Sequence, residues 1–170
     1  MTTSVNQKKE KPPPKKRVIT SSKKWDLQIA GLTTEYQLGL LDQCFVAETP
    51  VGLHVPFLEQ LIHSKWYGYR TQDMDKNIFD ATQFVSDRDI AELLSVSRLR
   101  CFYCLKPIQL FYEYVRESNQ WTLERIDNAF GHNRGNVEIA CLGCNIRRKT
   151  MYYERFIMTK QMTITKMNES

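Results

Sequence analysis

Hydrophobic residues recur at helical spacing in two segments of the first half of the chain. Residues 56–63 begin with proline and continue with apolar side chains about one helical turn apart, which predicts a helix. A second helix is predicted to start after Ser86, because serine is a good N-cap and Asp87 and Asp89 add negative charge to the first turn. We expect it to pack on the second half of the chain through a buried stripe of Ile90, Leu93 and Leu94.

The segment between these two predicted helices is rich in aromatic side chains. Residues 66–70 combine a tryptophan and two tyrosines with glycine and arginine, a composition that suits either core packing or stacking on bases. His54 and His63 lie in the same half without a cysteine or carboxylate at ligand spacing, and we interpret both as structural. Residues 25–97 are therefore predicted to form a mainly helical region.

The second half of the chain is predicted to contain both strand and helix. Residues 123–126 indicate a strand, which would point Glu124 and Arg125 to opposite faces unless a twist or a bulge turns one of them. Asn145 is expected to open a helix after a pair of cysteines. Helix packing is predicted for the apolar residues further along, which are Tyr152, Tyr153, Phe156, Ile157 and Met158. The mixture of elements indicates an α+β fold.

Composition limits the class of protein. The chain has 170 residues and 42% hydrophobic content, which suffices for one compact domain with a small core and appended tails. No segment approaches the roughly 18 consecutive apolar residues that a membrane helix needs, and the first residues lack the apolar stretch of a secretory signal. We therefore expect an intracellular protein that does not bind membranes.

Positive charge is concentrated towards the two ends of the chain. The net charge is +5, with lysines crowding residues 8–24 and a second cluster formed by Arg147, Arg148 and Lys149. Residues 1–24 contain three consecutive prolines and almost no large apolar residue, which predicts a disordered tail. This tail resembles a nuclear import signal; it would equally serve as an electrostatic arm on phosphates or as a solubilising segment. Nucleic acid is the natural partner of such charge.

Four of the five cysteines form two C-x-x-C pairs. In a chain expected to be intracellular, such pairs indicate thiolates on a metal and not disulfides. The spacing lets both sulfurs of a pair reach one tetrahedral Zn²⁺ at about 2.3 Å, and four sulfurs close the coordination sphere. We predict one structural zinc held by Cys101, Cys104, Cys141 and Cys144. Cys44 has no partner of this kind and is interpreted as a small buried hydrophobic residue.

Three motifs around the cysteines carry a resemblance to a known family. They are the run W-T-L-E-R-I-D-N at residues 121–128, G-H-N at residues 131–133, and I-A-C-L-G-C-N-I-R-R at residues 139–148. This arrangement resembles the HNH endonucleases, and its wording is similar to HNH-like proteins of phages and large DNA viruses. The resemblance covers about residues 98–153. It implies a small ββα-metal, treble-clef-like zinc domain at residues 98–158, followed by a C-terminal tail at residues 159–170.

The resemblance also implies a set of catalytic residues. Most HNH enzymes have Asp-His where this chain has Glu124 and Arg125, and an arginine cannot act as a base. In a branch of the family with a similar motif, the arginine grips the scissile phosphate and the residue after the glycine activates water; that residue is His132 here. Glu124 and Asn145 match the positions that hold the catalytic cation, and their oxygen atoms suit Mg²⁺ or Mn²⁺.

The remaining candidate residues surround this set. Asn136 is expected to tie the metal loop together by side-chain hydrogen bonds. Asp127 and Asn128 are second-tier candidates, since both side chains also form turns readily. Arg147, Arg148 and Lys149 are the predicted nucleic-acid contacts, on a helix that must approach the substrate if the metal does.

Two functions follow from these observations. The first is a metal-dependent HNH endonuclease that hydrolyses DNA, and its expected partner is double-stranded DNA. We expect no small-molecule cofactor, and a homodimer is compatible with these observations. We expect it in the cytoplasm or the nucleus. If the protein is viral, these compartments are those of the host cell. The second is a non-catalytic zinc module that binds nucleic acid or serves as a viral structural or regulatory component. The glutamate at position 124 favours this second function slightly, because its extra methylene moves the carboxylate by about 1 Å.

Overall fold

The computed structural model describes residues 33–45, 54–112 and 116–162. These ranges contain five helices and one two-stranded sheet, which agrees with the predicted α+β class. In chain order the elements are α1 (Thr34–Gln43), α2 (His54–Asp75), α3 (Asp87–Val96), β1 (Trp121–Arg125), β2 (Val137–Cys141), α4 (Leu142–Arg148) and α5 (Tyr153–Gln161). The predicted tail at residues 1–24 lies outside the described residues, as do residues 163–170 of the predicted C-terminal tail.

The three N-terminal helices pack on one another, and α3 begins where the sequence predicts. Ser86 and Asp89 form a reciprocal capping box: the Ser86 hydroxyl accepts from the Asp89 backbone, and the Asp89 carboxylate accepts from the Ser86 backbone at 2.7 Å. Ile90 and Leu94 are buried, and α3 contacts β2. The prediction of a helix that starts after Ser86 and packs on the second half is confirmed.

Helix α2 is much longer than predicted. Residues 66–70 belong to it, although the sequence suggested a separate aromatic segment between two helices. The reason is tertiary packing: the Trp66 indole donates to the Val85 carbonyl at 2.7 Å, and the Tyr69 hydroxyl accepts from the Leu123 backbone at 2.9 Å. These contacts outweigh the weak helix propensity of Gly68 in the middle of the helix.

The sheet is an antiparallel hairpin whose second strand runs directly into a helix. Trp121 pairs with Cys141 and Arg125 with Val137, so Glu124 lies opposite Glu138. Cys141 ends β2 and is also the N-cap of α4, which begins at Leu142, three residues earlier than predicted. Along the outer edge of β1, α2 provides Tyr69 and also Lys65, whose ammonium donates to the Trp121 carbonyl. This closes an edge that would otherwise expose unpaired backbone groups.

Side chains from the helices and the hairpin form one hydrophobic cluster. Its largest fully buried members include Leu58, Ile62, Leu94, Tyr103, Trp121 and Ile139. The helical region thus packs directly around the cysteine-containing segment. In the part of the chain that the structure describes, no helix combines the length and the apolar character needed to cross a lipid bilayer.

Candidate functional site

The four cysteines of the two C-x-x-C pairs meet at one point, as predicted. Their sulfur atoms all lie within 4.8 Å of one another. A tetrahedral zinc ion with bonds of about 2.3 Å requires sulfurs about 3.8 Å apart, so small side-chain adjustments complete the geometry. Within the described ranges, this is the one group of three or more His, Cys, Asp or Glu side chains close enough to share an ion. The cluster can therefore hold a metal ion.

The same crowding controls the protonation of the thiols. Hydrogen bonding with Cys141, together with burial, raises the pKa of Cys101 to about 12. Burial and the neighbouring cysteines raise the pKa of Cys144 to about 12 as well. Because a metal binds thiolates, it must displace these protons, and its affinity rises with pH.

Cys44 lies elsewhere in the core and is 3% exposed, which agrees with its interpretation as a buried hydrophobic residue. Burial raises its pKa to about 12.

A cleft of about 570 Å³ lies beside the hairpin. Its lining residues come from α2, β1, α4 and the loop between the two strands. The four predicted catalytic residues all line it: Glu124, Arg125, His132 and Asn145. The cations Lys76 and Lys149 also line it, as does Lys65, whose pKa is lowered to about 7 by burial. The four catalytic candidates, which lie up to 21 positions apart in the sequence, therefore share one cleft with positively charged side chains.

Glu124 is 4% exposed and is held by two partners. Its Oε1 accepts from the Arg148 guanidinium and from the Tyr103 hydroxyl, the latter at 3.3 Å. Burial raises the pKa of Glu124, and the hydrogen bond and positive charge of Arg148 offset part of this effect. The carboxylate thus belongs to a buried ion pair while it lines the cleft.

Arg148 has a different role from the one predicted. The sequence grouped it with Arg147 and Lys149 as a nucleic-acid contact, but it is 3% exposed. Its guanidinium bonds Glu124 and the backbone carbonyls of Arg125 and Ile126, at 2.7 and 2.6 Å. The reason is helical geometry, because Arg148 faces the hairpin while its neighbour Arg147 faces solvent. Arg148 therefore stabilises the end of β1 from inside.

Asn145 and Arg125 are each anchored by part of their side chain. The Asn145 amide nitrogen donates to the Leu123 carbonyl at 3.1 Å and to the Thr122 hydroxyl at 3.2 Å, which leaves the amide oxygen as the atom suited to a cation. The Arg125 guanidinium donates from Nη1 to the Phe130 carbonyl at 3.2 Å. A guanidinium has five N–H donors, so most of them remain for an anion in the cleft.

His132 is buried against α2 and is paired with an aspartate that the sequence did not indicate. Its ring Nδ1 lies 2.8 Å from Asp73 Oδ1, and its backbone N–H donates to Asp73 Oδ2 at 2.6 Å. Asp73 is completely buried and His132 is 2% exposed. Burial lowers the pKa of His132, and Asp73 offsets part of that effect. The imidazole is therefore neutral near pH 7, the form that can accept a proton.

Side-chain hydrogen bonds hold the loop between the strands. The Asn136 amide accepts from the Asp127 backbone N–H at 2.9 Å and donates to the carbonyls of Asp127 and Gly131 at 3.0 and 2.9 Å. Asp127 is exposed and accepts from the Ala129 backbone at 2.8 Å, a turn of the kind that aspartate favours. Asn128 donates to the Lys149 carbonyl at 3.2 Å and links this loop to the end of α4.

Several cleft residues that were not predicted as site residues lie on α2 or, in the case of Lys76, directly after it. Lys65, Gly68, Tyr69, Gln72 and Lys76 line the cleft, and Asp73 contacts His132 from behind it. Their spacing of three or four residues is the signal that was present, since it puts them on one helix face. The short helix predicted at residues 56–63 ended before this face began, which hid the pattern.

Lys149 sits at the mouth of the cleft with a backbone conformation that is rare for a lysine. Its φ and ψ are 53° and −112°, at the C-cap of α4. Such conformations cost about 1–3 kcal/mol in a residue with a Cβ and concentrate at functional positions. Arg147 and Lys149 are both exposed, so the predicted basic surface on α4 consists of these two residues.

Replacing Lys149 with glycine is expected to raise the free energy of unfolding by about 1 kcal/mol, because glycine adopts positive φ without strain. If Lys149 contacts a phosphate of bound DNA, the same change should also weaken binding to a DNA oligonucleotide and reduce the slope of log affinity against log salt by about one. Chemical denaturation and binding titrations at several salt concentrations measure both. Lys149→Ala is the matched control: it should lose the same binding without the gain in stability, and equal stabilities would contradict the strain.

Comparisons of the chain with protein-family models, with curated proteins and with solved structures return no match.

Proposed function

We propose that this protein is a metal-dependent endonuclease of the HNH type that hydrolyses phosphodiester bonds in DNA. The observation that carries the proposal is that Glu124, Arg125, His132 and Asn145 line one cleft together with the cations Lys76 and Lys149. Phosphodiester hydrolysis needs a cation for the phosphoryl charge, a base for water and a cationic group that holds the phosphate. Glu124 and Asn145 would hold the cation, His132 would act as the base, and Arg125 would hold the phosphate.

The hairpin and the helix after it support a ββα-metal domain in this proposal. Strand β2 runs directly into α4, and the two contribute Cys141 and Cys144 to the metal-binding cluster. We assign structural zinc to this cluster, because four thiolates fill a tetrahedral shell and leave no site for water. Such an ion folds the chain and takes no part in the reaction.

The donor set of the cleft fits a hard divalent cation. Glu124 has a second carboxylate oxygen besides the one that Arg148 holds, and Asn145 has its amide oxygen. Mg²⁺ keeps several waters and needs only one or two carboxylates together with phosphate oxygens, so two protein ligands suffice. When bound there, Mg²⁺ or Mn²⁺ would supply charge stabilisation on the phosphoryl oxygens.

The protein side chains perform the remaining steps. Arg125 binds the non-bridging oxygens of the scissile phosphate, since its guanidinium remains cationic throughout the accessible pH range. His132 accepts a proton from a water molecule through Nε2, the oxygen of that water bonds to phosphorus, and the bond from phosphorus to O3′ breaks. The products are a 5′-phosphate and a 3′-hydroxyl, which takes up a proton from solvent.

A second function has one observation in its favour. Glu124 is already neutralised by Arg148, so its carboxylate could serve stability alone, in a zinc-stabilised module that binds nucleic acid without cutting it. Such a module would still use Arg147 and Lys149 on α4. The two functions differ in whether the phosphodiester bond is broken.

The test is a nicking assay of the purified protein on supercoiled plasmid with Mg²⁺ or Mn²⁺. His132→Ala is expected to reduce the rate by about 100-fold or more with little change in DNA affinity, because a general base acts mainly in the transition state. The matched control is His63→Ala, which removes another aspartate-paired histidine that is largely exposed. The control should nick at the wild-type rate.

Two results would contradict the proposal. Plasmid binding without nicking under both metals would favour the non-catalytic module. Wild-type nicking by His132→Ala between about pH 6 and 8, where an imidazole titrates, would exclude His132 as the base. Asp127 would then be the next candidate.

A further inference from the structure

Helix α2 packs an aspartate against the back of the candidate base. The carboxylate of Asp73 bonds His132 twice, from Oδ1 to the ring Nδ1 and from Oδ2 to the backbone N–H. Asp73 lies at the end of a 22-residue helix and is 59 positions from His132 in the chain. A completely buried aspartate is uncommon, and here both of its oxygens are used on one residue.

Gly131 explains how the loop reaches this aspartate. A Cβ at position 131 would lie 2.7 Å from Asp73 Oδ2 and 2.7 Å from the Ile78 carbonyl oxygen. Only glycine lets the loop approach α2 so closely. The glycine before His132 therefore allows the close packing that places the imidazole beside Asp73.

The ring of His132 is fixed on its other sides as well. Tyr69 packs on it with ring centroids 4.5 Å apart, and the His132 carbonyl accepts from the Val85 backbone at 3.0 Å. The Nδ1 edge thus faces Asp73 on α2, while His132 also lines the cleft. The contacts define both the position and the rotation of the imidazole.

The protonation of Asp73 determines the tautomer. Burial would raise the pKa of Asp73, but the hydrogen bonds that it accepts from His132 and the positive charge of Arg125 hold it below the usual value. An ionised carboxylate only accepts hydrogen bonds, so Nδ1 must carry the ring proton. Nε2 is then unprotonated and able to take a proton from water.

We propose that Asp73 is a positioning residue, which holds His132 in the Nδ1–H tautomer and stabilises the imidazolium that forms when Nε2 takes a proton. This rests on the proposed function, which it deepens by making α2 part of the active site. Asp73 touches neither substrate nor cation; it acts through His132.

Asp73→Asn is the informative variant because an amide offers one acceptor and one donor. The His132 backbone N–H is a permanent donor and takes the amide oxygen, so the amide NH₂ then faces Nδ1. An NH₂ group requires an unprotonated Nδ1, and the proton moves to Nε2. We expect kcat to fall by about 100-fold with KM nearly unchanged, since the base is lost while the cleft is kept.

Two further measurements separate positioning from mere support of the fold. Nitrogen-15 NMR of the histidine rings should show the Nδ1–H tautomer for His132 in the wild type and the Nε2–H tautomer in Asp73→Asn. The acid limb of the pH–rate profile should move to lower pH in the variant, because the charged groups that then face His132 are Lys76, one residue after α2, and Arg125 on β1, both cations. Tyr69 also faces the ring and stays neutral, because burial raises its pKa.

The matched control is Asp87→Asn, which changes the equivalent pair of His63 and Asp87 on the surface, with Nδ1 and Oδ2 2.8 Å apart. It should leave kcat and the His132 signals unchanged. The proposal fails if wild-type His132 carries its proton on Nε2, or if Asp73→Asn nicks at the wild-type rate. Absence of nicking by the wild type would instead refute the proposed nuclease, and the tautomer would still test the role of Asp73 in a folded protein.

Discussion

Replacing Cys101 or Cys144 with serine is expected to unfold the C-terminal half of the protein. Both residues are buried in the metal-binding cluster, at 0% and 3% exposure. In zinc-finger peptides at pH 7, binding of structural zinc contributes about 10–16 kcal/mol to folding, which is comparable to the entire stability of a typical domain. Circular dichroism should show the loss of folded structure, and elemental analysis should find about one zinc per chain in the wild type and much less in the variants.

Cys44→Ala is the matched control for this prediction. Cys44 is as deeply buried as Cys144 but lies outside the cluster, so its loss should cost only about 1–2 kcal/mol of packing and leave the zinc content unchanged. Chelation of the wild type should reproduce the cysteine variants, and should do so more easily at low pH, where protons compete for the thiols. A folded wild type without metal would contradict the assignment of structural zinc.

The sequence predicted those features of the site that depend on short spacings. Two C-x-x-C pairs indicate a metal site by their spacing, and Ser86 followed by Asp89 is a local capping signal, so both could be predicted without knowledge of the fold. The strand around Glu124 and the helix containing Asn145 were likewise visible in a few residues.

The features that the sequence concealed depend on tertiary contacts. Nothing near Asp73 marks it as the partner of a histidine 59 residues later, because the pairing arises only when the loop docks on α2. Arg148 looked like its neighbour Arg147, and only the orientation of α4 on the hairpin turns one inward and the other outward. Residue type indicated the chemistry of these side chains, whereas packing determined their roles.

The buried ion pair of Glu124 and Arg148 leads to the second prediction with a large effect. Removing the carboxylate in Glu124→Ala leaves the Arg148 guanidinium charged and without its anion in the interior, at 2% side-chain exposure. An uncompensated charge of this kind costs about 3–5 kcal/mol. We therefore expect Glu124→Ala to lower the free energy of unfolding by that amount in a denaturation experiment.

This expectation changes how Glu124 must be tested as a ligand of the catalytic cation. Loss of nicking in Glu124→Ala would mix loss of the ligand with loss of folded protein. Glu124→Gln keeps an oxygen that can accept from Arg148 and Tyr103, so it should cost less stability while it removes the charge that a divalent cation needs. If Glu124 holds the cation, nicking falls in the glutamine variant at temperatures where it is still folded.

A surface ion pair provides the control for the stability measurement. Arg134 and Asp89 lie 2.8 Å apart, but the Arg134 side chain is 55% exposed, and Arg134→Met should cost less than about 1 kcal/mol. In the buried pair, Glu124→Met combined with Arg148→Met removes both charges together and should recover most of the stability lost in Glu124→Ala. If Glu124→Ala proved no more costly than Arg134→Met, the ion pair of Glu124 and Arg148 would contribute little to stability, which would contradict this prediction. Glu124 could then bind a cation without competition from Arg148.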